Sequence, residues 1–169
     1  MTRPLALSLL LIVTLSAGAC GVRARRTDRI ATAVTAVVNA GDTARYLTPF
    51  GAPTRPFSPA VRVGNLLFLS GQIGTDGASA NANAVVAGGI EAETKQTLEN
   101  IRTLLTAVGS SMDKVVKCTV MMADMKEWDR MNGVYRTFFK PGRLPARSAL
   151  GANGLALNAR VEIECIATA

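Results

Sequence analysis

The segment Ile90-Glu-Ala-Glu-Thr-Lys-Gln-Thr-Leu-Glu-Asn-Ile-Arg-Thr-Leu-Leu-Thr-Ala-Val-Gly109 sets Ile90, Thr94, Leu98, Ile101, Leu105 and Val108 at steps of three and four, so they share one face of an α-helix. Gly109 stands where a helix C-cap is expected. A helix with one apolar face needs a second layer, and the β-branched run Val115 to Met122 that follows reads as a strand. Upstream, Ala60 to Val63 and Leu66 to Ser70 read as two strands joined through Gly64-Asn65. Downstream, Trp128, Met131, Tyr135 and Phe138 form the apolar stripe of a second helix that begins near Asp124 and stops at Pro141-Gly142. Val161 to Ala167 is the last strand. A hairpin followed by two strand-helix units predicts an α+β domain, a single sheet with two helices packed on one face. The other face needs a cover. With 5% aromatic residues and no third helix, burial against further copies of the chain is the expected solution.

Chemistry concentrates near the C-terminus, where Arg147 precedes by fifteen residues a strand that carries Glu162 and Glu164. A guanidinium is a permanently charged planar fork suited to a carboxylate, and a glutamate held near it can polarise water or move a proton. Strand alternation puts Glu162 and Glu164 on one face, about 7 Å apart. For Arg147 the plainer alternative is a surface or inter-subunit ion pair. Glu162 has its own alternative, pairing with Arg147 or Arg160.

The chain has no histidine, which excludes Ser-His and Cys-His nucleophile pairs and histidine-rich metal sites. Its three cysteines, Cys20, Cys118 and Cys165, have no metal-ligand spacing. Cys118 and Cys165 both fall in predicted strands, and the expectation is a pair of buried free thiols, with a disulfide in an oxidising compartment as the alternative. The formal charge is +7, but five of the nineteen basic residues (Arg3, Arg23, Arg25, Arg26 and Arg29) precede residue 30. The rest are scattered without a run, an ordinary solvated surface, so no nucleic-acid partner is expected.

Residues 1–20 read as an export signal: Arg3, an apolar stretch from Leu5 to Leu15, then Ser16-Ala-Gly-Ala19 before Cys20. The apolar run is short for a bilayer span, which favours a cleaved leader over an anchor helix. The small residues resemble a bacterial lipobox, with Ala17 where leucine is usual, and that resemblance implies lipidation of Cys20. Simple secretion is the alternative. By resemblance to the lipoprotein sorting rule, Gly21 favours the outer membrane of a Gram-negative cell. Residues 21–43 read as a tether and 44–169 as the folded domain. The loop from Gly74 to Gly88, rich in Gly, Ala and Asn, has no assigned role.

Four ordered blocks together resemble the RidA/YjgF family of imine and enamine deaminases: Arg55 to Ile73, Glu91 to Ile101, Asn132-Gly-Val-Tyr135, and Pro145-Ala-Arg-Ser148 with Val161-Glu-Ile-Glu164. The resemblance spans residues 44 to 168. It implies a chorismate-mutase-like fold, a homotrimer with a barrel-like core of sheets, and active sites in clefts between subunits. It further implies hydrolysis of 2-imino or 2-enamino acids to 2-oxo acids and ammonia without a cofactor. Carried over by position, Arg147 matches the carboxylate-binding arginine and Glu162 the acid that positions water. Phe57, Ser70, Gly71 and Asn132 match positions near the cleft. For Ser70-Gly71 an ordinary strand-end turn is the alternative, and for Asn132 a capping role. Two departures stand out: Phe57 replaces a tyrosine common in deaminating members, and Ala149 stands where some members carry cysteine. Loss of the tyrosine hydroxyl removes a hydrogen bond of roughly 0.5–1.5 kcal/mol. These departures, with an address outside the cytosol, motivate the rival expectation of a non-catalytic small-carboxylate or protein-binding module.

Overall fold

The computed structural model describes residues 43–52, 55–76 and 84–169. The predicted leader, Cys20, the tether up to residue 42 and the middle of the Gly74–Gly88 loop lie outside the described residues. The described chain runs β1 (Arg45–Leu47), β2 (Ala60–Val63), β3 (Leu66–Leu69), β4 (Gln72–Ile73), α1 (Gly89–Ala107), β5 (Val115–Met122), α2 (Trp128–Tyr135), β6 (Ala146–Gly151) and β7 (Val161–Thr168). All seven strands form one sheet in the order β1-β2-β3-β7-β5-β6, with β4 also pairing β7. Only the β5–β6 pairing is parallel. The expected α+β architecture of one sheet and two helices is present.

Alternation along β7 sorts the sheet's two faces. Val161, Ile163, Cys165 and Ala167 are buried, whereas Glu162, Glu164, Ile166 and Thr168 are not. The buried set meets Leu98, Ile101 and Leu105 of α1 and Met131 and Tyr135 of α2 in one hydrophobic core. Full burial of side chains such as Leu98 or Ile101 contributes about 1.5–3 kcal/mol each. On the opposite face Leu66, Phe68 and Leu150 remain exposed.

Local chemistry explains the element ends. Gly109 has φ +83°, the left-handed conformation that a helix end favours in glycine. Asn100 of α1 donates from Nδ2 to the carbonyls of Ile73 (3.0 Å) and Thr75 (2.9 Å), fastening the helix to β4. Asp124 caps the start of the second helical segment by accepting the Lys126 N–H at 2.9 Å. That segment is less regular than its stripe predicts. Only Trp128–Tyr135 is α-helical, flanked by 3₁₀ turns at Met125–Glu127 and Arg136–Phe138.

Three strands had no counterpart in the sequence reading. β1 and β4 are too short to carry a pattern. β6 escaped it because Arg147 and Ser148 interrupt its apolar residues. The expectation of free thiols is corrected: Cys118 and Cys165 are directly opposed on β5 and β7, with Cα atoms 4.1 Å apart, and are joined by a disulfide. The opposition depends on a bulge at Val116, which shifts the β5–β7 register between Val115 and Lys117.

The bond closes a loop with a sequence separation of 47. The chain-entropy model assigns such a loop roughly 4 kcal/mol, and disulfides typically contribute about 2–4 kcal/mol. Reduction, or Cys165→Ala, is therefore expected to lower unfolding free energy by about 2–4 kcal/mol in urea titrations at fixed protein concentration. Coincident midpoints with and without reductant would show that the bond adds nothing.

Candidate active site

Arg147 projects from edge strand β6. In the parallel register it lies beside Cys118, whose side chain belongs to the helix-facing core, so its guanidinium points toward α2. There Nη1 donates to Asn132 Oδ1 at 2.6 Å. The guanidinium carbon lies 4.9 Å from the Trp128 ring centroid and 4.7 Å from that of Tyr135. Trp128, Asn132 and Tyr135 are spaced i, i+4, i+7 and so share one face of α2. Tyr135 is 4% exposed and leans on Phe139 at a centroid distance of 4.9 Å. Burial pushes its phenol up to about 12, against the opposing pull of the Arg147 charge. Among the described residues no carboxylate pairs with Arg147, so the ion-pair alternative has no support within one chain.

Glu162 occupies different ground. It stands opposite Met121 of β5 and Ile73 of β4, flanked by the buried Val161 and Ile163, and is half-buried on the open face. Burial, and secondarily the negative charge of Glu164, raises its carboxyl above the ordinary value of 4.5. A Cβ at Gly71 would overlap Glu162 Oε1, so the absence of a side chain at Gly71 is what lets the carboxylate lie against the turn. The start of β7 is pinned by Glu93, whose Oε2 accepts the Arg160 N–H at 2.7 Å. The Arg160 guanidinium is engaged by Glu127 at 2.9 Å. Glu162 therefore pairs with neither Arg147 nor Arg160.

Of the remaining predicted positions, Gly71 alone lies against Glu162. Ser70 Oγ donates to the Ser58 carbonyl at 2.7 Å and so fastens the segment carrying Phe57. Gln72 Nε2 donates to the carbonyls of Ser70 (3.0 Å) and Gly71 (3.1 Å), stiffening the turn. Phe57 is 47% exposed and walls a 350 Å³ cleft with Arg55, Gln72 and, from α1, Asn100 and Thr103, which puts it on the helix side of the sheet. Ala149 is half-buried against the core. Asn132 does not cap a helix; it orients Arg147.

Two groupings result: Arg147 with Asn132 on the helix side, and Glu162 with Gly71 on the open side. The expected partnership of Arg147 and Glu162 is not formed within one chain. Arg147 is in register with Cys118 and Glu162 with Met121, three residues apart on β5, and an odd step reverses the face. The sequence reading also took Trp128 and Tyr135 only as core residues. Their shared face with Asn132 is the signal that marks them as walls of the arginine site. Among the described residues no three His, Cys, Asp or Glu side chains converge in a way that could hold a metal ion.

A one-sheet α+β domain with an oriented arginine and a half-buried glutamate has the equipment of a protein that handles small acids. The chain belongs to the RidA/YjgF family and has the features of an enzyme of that deaminase family: residues 49–169 match the family described as Endoribonuclease L-PSP. A Mus musculus protein named 2-iminobutanoate/2-iminopropanoate deaminase is 43% identical over 112 residues, covering 66% of this chain and 80% of its own. The crystal structure of RidA from the Antarctic bacterium Psychrobacter sp. has 31% identity and a TM-score of 0.64, over 73% of this chain and 98% of its own. Yeast Mmf1 gives 33% identity and a TM-score of 0.65, over 75% and 98% respectively.

The Gly71–Glu162 contact is testable without reference to function. Gly71→Ala is expected to cost about 1–3 kcal/mol in the presence of Glu162 and clearly less in a Glu162→Ala background. Urea unfolding of the four proteins of this cycle measures the coupling; additive costs would mean that the two residues do not share the space.

Proposed function

We propose that this chain hydrolyses reactive 2-imino and 2-enamino acids to 2-oxo acids and ammonia, at a site that two copies complete. The observation that carries this reading is the Arg147 guanidinium, held by Asn132 and without a carboxylate partner among the described residues. Arg147 of one copy binds the substrate carboxylate. Glu162 of a second copy, in its half-buried setting on the open face, serves the reacting carbon. The exposed apolar residues Leu66, Phe68 and Leu150 support burial of that face against further copies in a homotrimer.

The chemistry is a hydrolysis. Water adds to the carbon of the C=N bond while Glu162 accepts one of its protons and passes it to the nitrogen, giving a neutral amino alcohol with Glu162 again ionised. Glu162 then takes the hydroxyl proton and delivers it to nitrogen, so that the C–N bond breaks, ammonia leaves, the oxygen lone pair closes the C=O bond and the carboxylate is restored. Arg147 holds the reactant in place through both stages, converting an encounter into an oriented attack. No redox change occurs and no cofactor enters the balance.

By the same reading the protein is exported and lipid-anchored through Cys20. The leader pattern supports this, as does the Cys118–Cys165 bond, because disulfides persist chiefly in oxidising compartments. Phe57, which lacks the tyrosine hydroxyl, favours a second reading in which the same site binds 2-oxo acids without turnover. The two separate on whether bound ligand is accompanied by hydrolysis.

Ammonia release from freshly generated 2-iminopropionate tests the proposal. Arg147→Ala is expected to lose at least about a hundredfold in kcat/KM, the loss of more than one charge-assisted hydrogen bond. Co-assembly of Arg147→Ala with Glu162→Gln should restore about a quarter of wild-type activity, because one interface in four then unites intact partners. No restoration would place both residues in the same subunit's site or remove one of them from it.

The raised carboxyl of Glu162 fixes the direction of the pH dependence. The ionised form required of a base appears only at higher pH than usual, so the acidic limb of kcat/KM is expected above 4.5. Glu164→Gln removes the neighbouring negative charge and should move that limb to lower pH. An unmoved limb would assign it to another group.

A further inference from the structure

We infer that Trp128 and Tyr135 are positioning residues that hold the Arg147 guanidinium against their rings and present one edge of it to a carboxylate. The inference rests on the proposed role of Arg147 as the substrate clamp and identifies what gives that clamp its aim. A free arginine side chain samples many rotamers, and each must be surrendered on binding. Here the ordering is done before the ligand arrives. The guanidinium carbon sits 4.9 Å and 4.7 Å from two ring centroids, both within cation–π range. The rings come from positions 128 and 135 of α2, two helical turns apart, and Asn132 stands on the turn between them.

Three contacts of different kinds thus converge on one group. Nη1 is committed to Asn132 Oδ1 at 2.6 Å, which leaves the Nε/Nη2 edge for two parallel bonds to a carboxylate. The rings also keep water from the faces of the guanidinium, which strengthens a charge-assisted bond made at its edge. Tyr135 is itself immobilised by Phe139 and by burial. Its hydroxyl has no hydrogen-bond partner among the described residues, so the ring and not the phenol acts on Arg147. Lysine could not replace Arg147 here, because an ammonium has neither the flat faces nor the two-donor edge.

The Trp128 position carries the test, since Tyr135 lies in the core and its truncation endangers folding. Affinity for 2-oxobutyrate is measured by calorimetry on the assembled protein, beside KM and kcat for 2-iminopropionate, for wild type, Trp128→Phe, Trp128→Leu and Arg147→Lys. Expected are binding close to wild type in Trp128→Phe, binding weakened about tenfold in Trp128→Leu with KM rising more than kcat falls, and the greatest loss in Arg147→Lys. Trp128 is the only tryptophan in the chain, so its emission should also respond to 2-oxobutyrate in wild type and not in Arg147→Lys. Wild-type affinity in Trp128→Leu, with affinity lost in Arg147→Lys, would overturn the positioning role and leave the clamp standing. Equal losses in Trp128→Phe and Trp128→Leu would overturn it too, because a ring at 128 would then confer nothing. Failure of the wild type to bind 2-oxobutyrate would remove the clamp and this inference with it.

Discussion

Strand β7 is hydrogen-bonded on both sides, to β3 and β4 along one edge and to β5 along the other, and the alternation of its side chains constrains everything around it. Val161, Ile163, Cys165 and Ala167 build the helix-facing core, which leaves Glu162 and Glu164 no position except the open face. A slip of one residue would drive two carboxylates into the core and four apolar side chains out of it. The register is therefore held by hydrophobic burial, by the desolvation cost of carboxylates and by the covalent bond at Cys165 together. The same alternation, passed through β5 to β6, turns Arg147 toward α2 and away from Glu162.

Each side of the sheet then solves its own electrostatic problem. On the helix side a permanent charge is half-buried without a counter-ion among the described residues, and two aromatic rings and an amide oxygen compensate it. Such an arrangement keeps the charge available, whereas a carboxylate partner would neutralise it. On the open side Glu162 is held partly out of water beside a turn that admits it only because residue 71 has no side chain. Its carboxyl is correspondingly less acidic than usual, as suits a group asked to accept a proton. An acceptor on one face and a cation on the other do not meet within one chain, and that separation is why the proposed site draws on two copies.

Much of this was legible in the sequence because it rests on local periodicity. The three-and-four spacing from Ile90 to Leu105 gave α1, and the β-branched, apolar runs Val115 to Met122 and Val161 to Ala167 gave the two central strands. Arg147 and Glu162 stood out by their chemistry and spacing as well as by the resemblance, whereas Asn132 came through the resemblance alone. What stayed hidden depends on long-range register. The bulge at Val116 brings Cys118 opposite Cys165, and no local pattern announces a bulge. The facing of Arg147 follows from a parallel pairing with β5, which is set by the length and path of the connection through α2. The aromatic walls were read as core because the hydrophobic pattern of a helix does not distinguish a ring that packs on leucine from a ring that packs on arginine.

The central claim is that Arg147 and Glu162 from different copies face one substrate. A crystal structure of the assembled protein with 2-oxobutyrate bound measures this directly. The account predicts the ligand carboxylate paired to the Arg147 guanidinium of one subunit, beside the Trp128 and Tyr135 rings, with its carbonyl carbon turned toward the Glu162 carboxylate of another. A ligand bound away from Arg147, or an assembly in which no Glu162 lies within reach of any ligand held by Arg147, would contradict it.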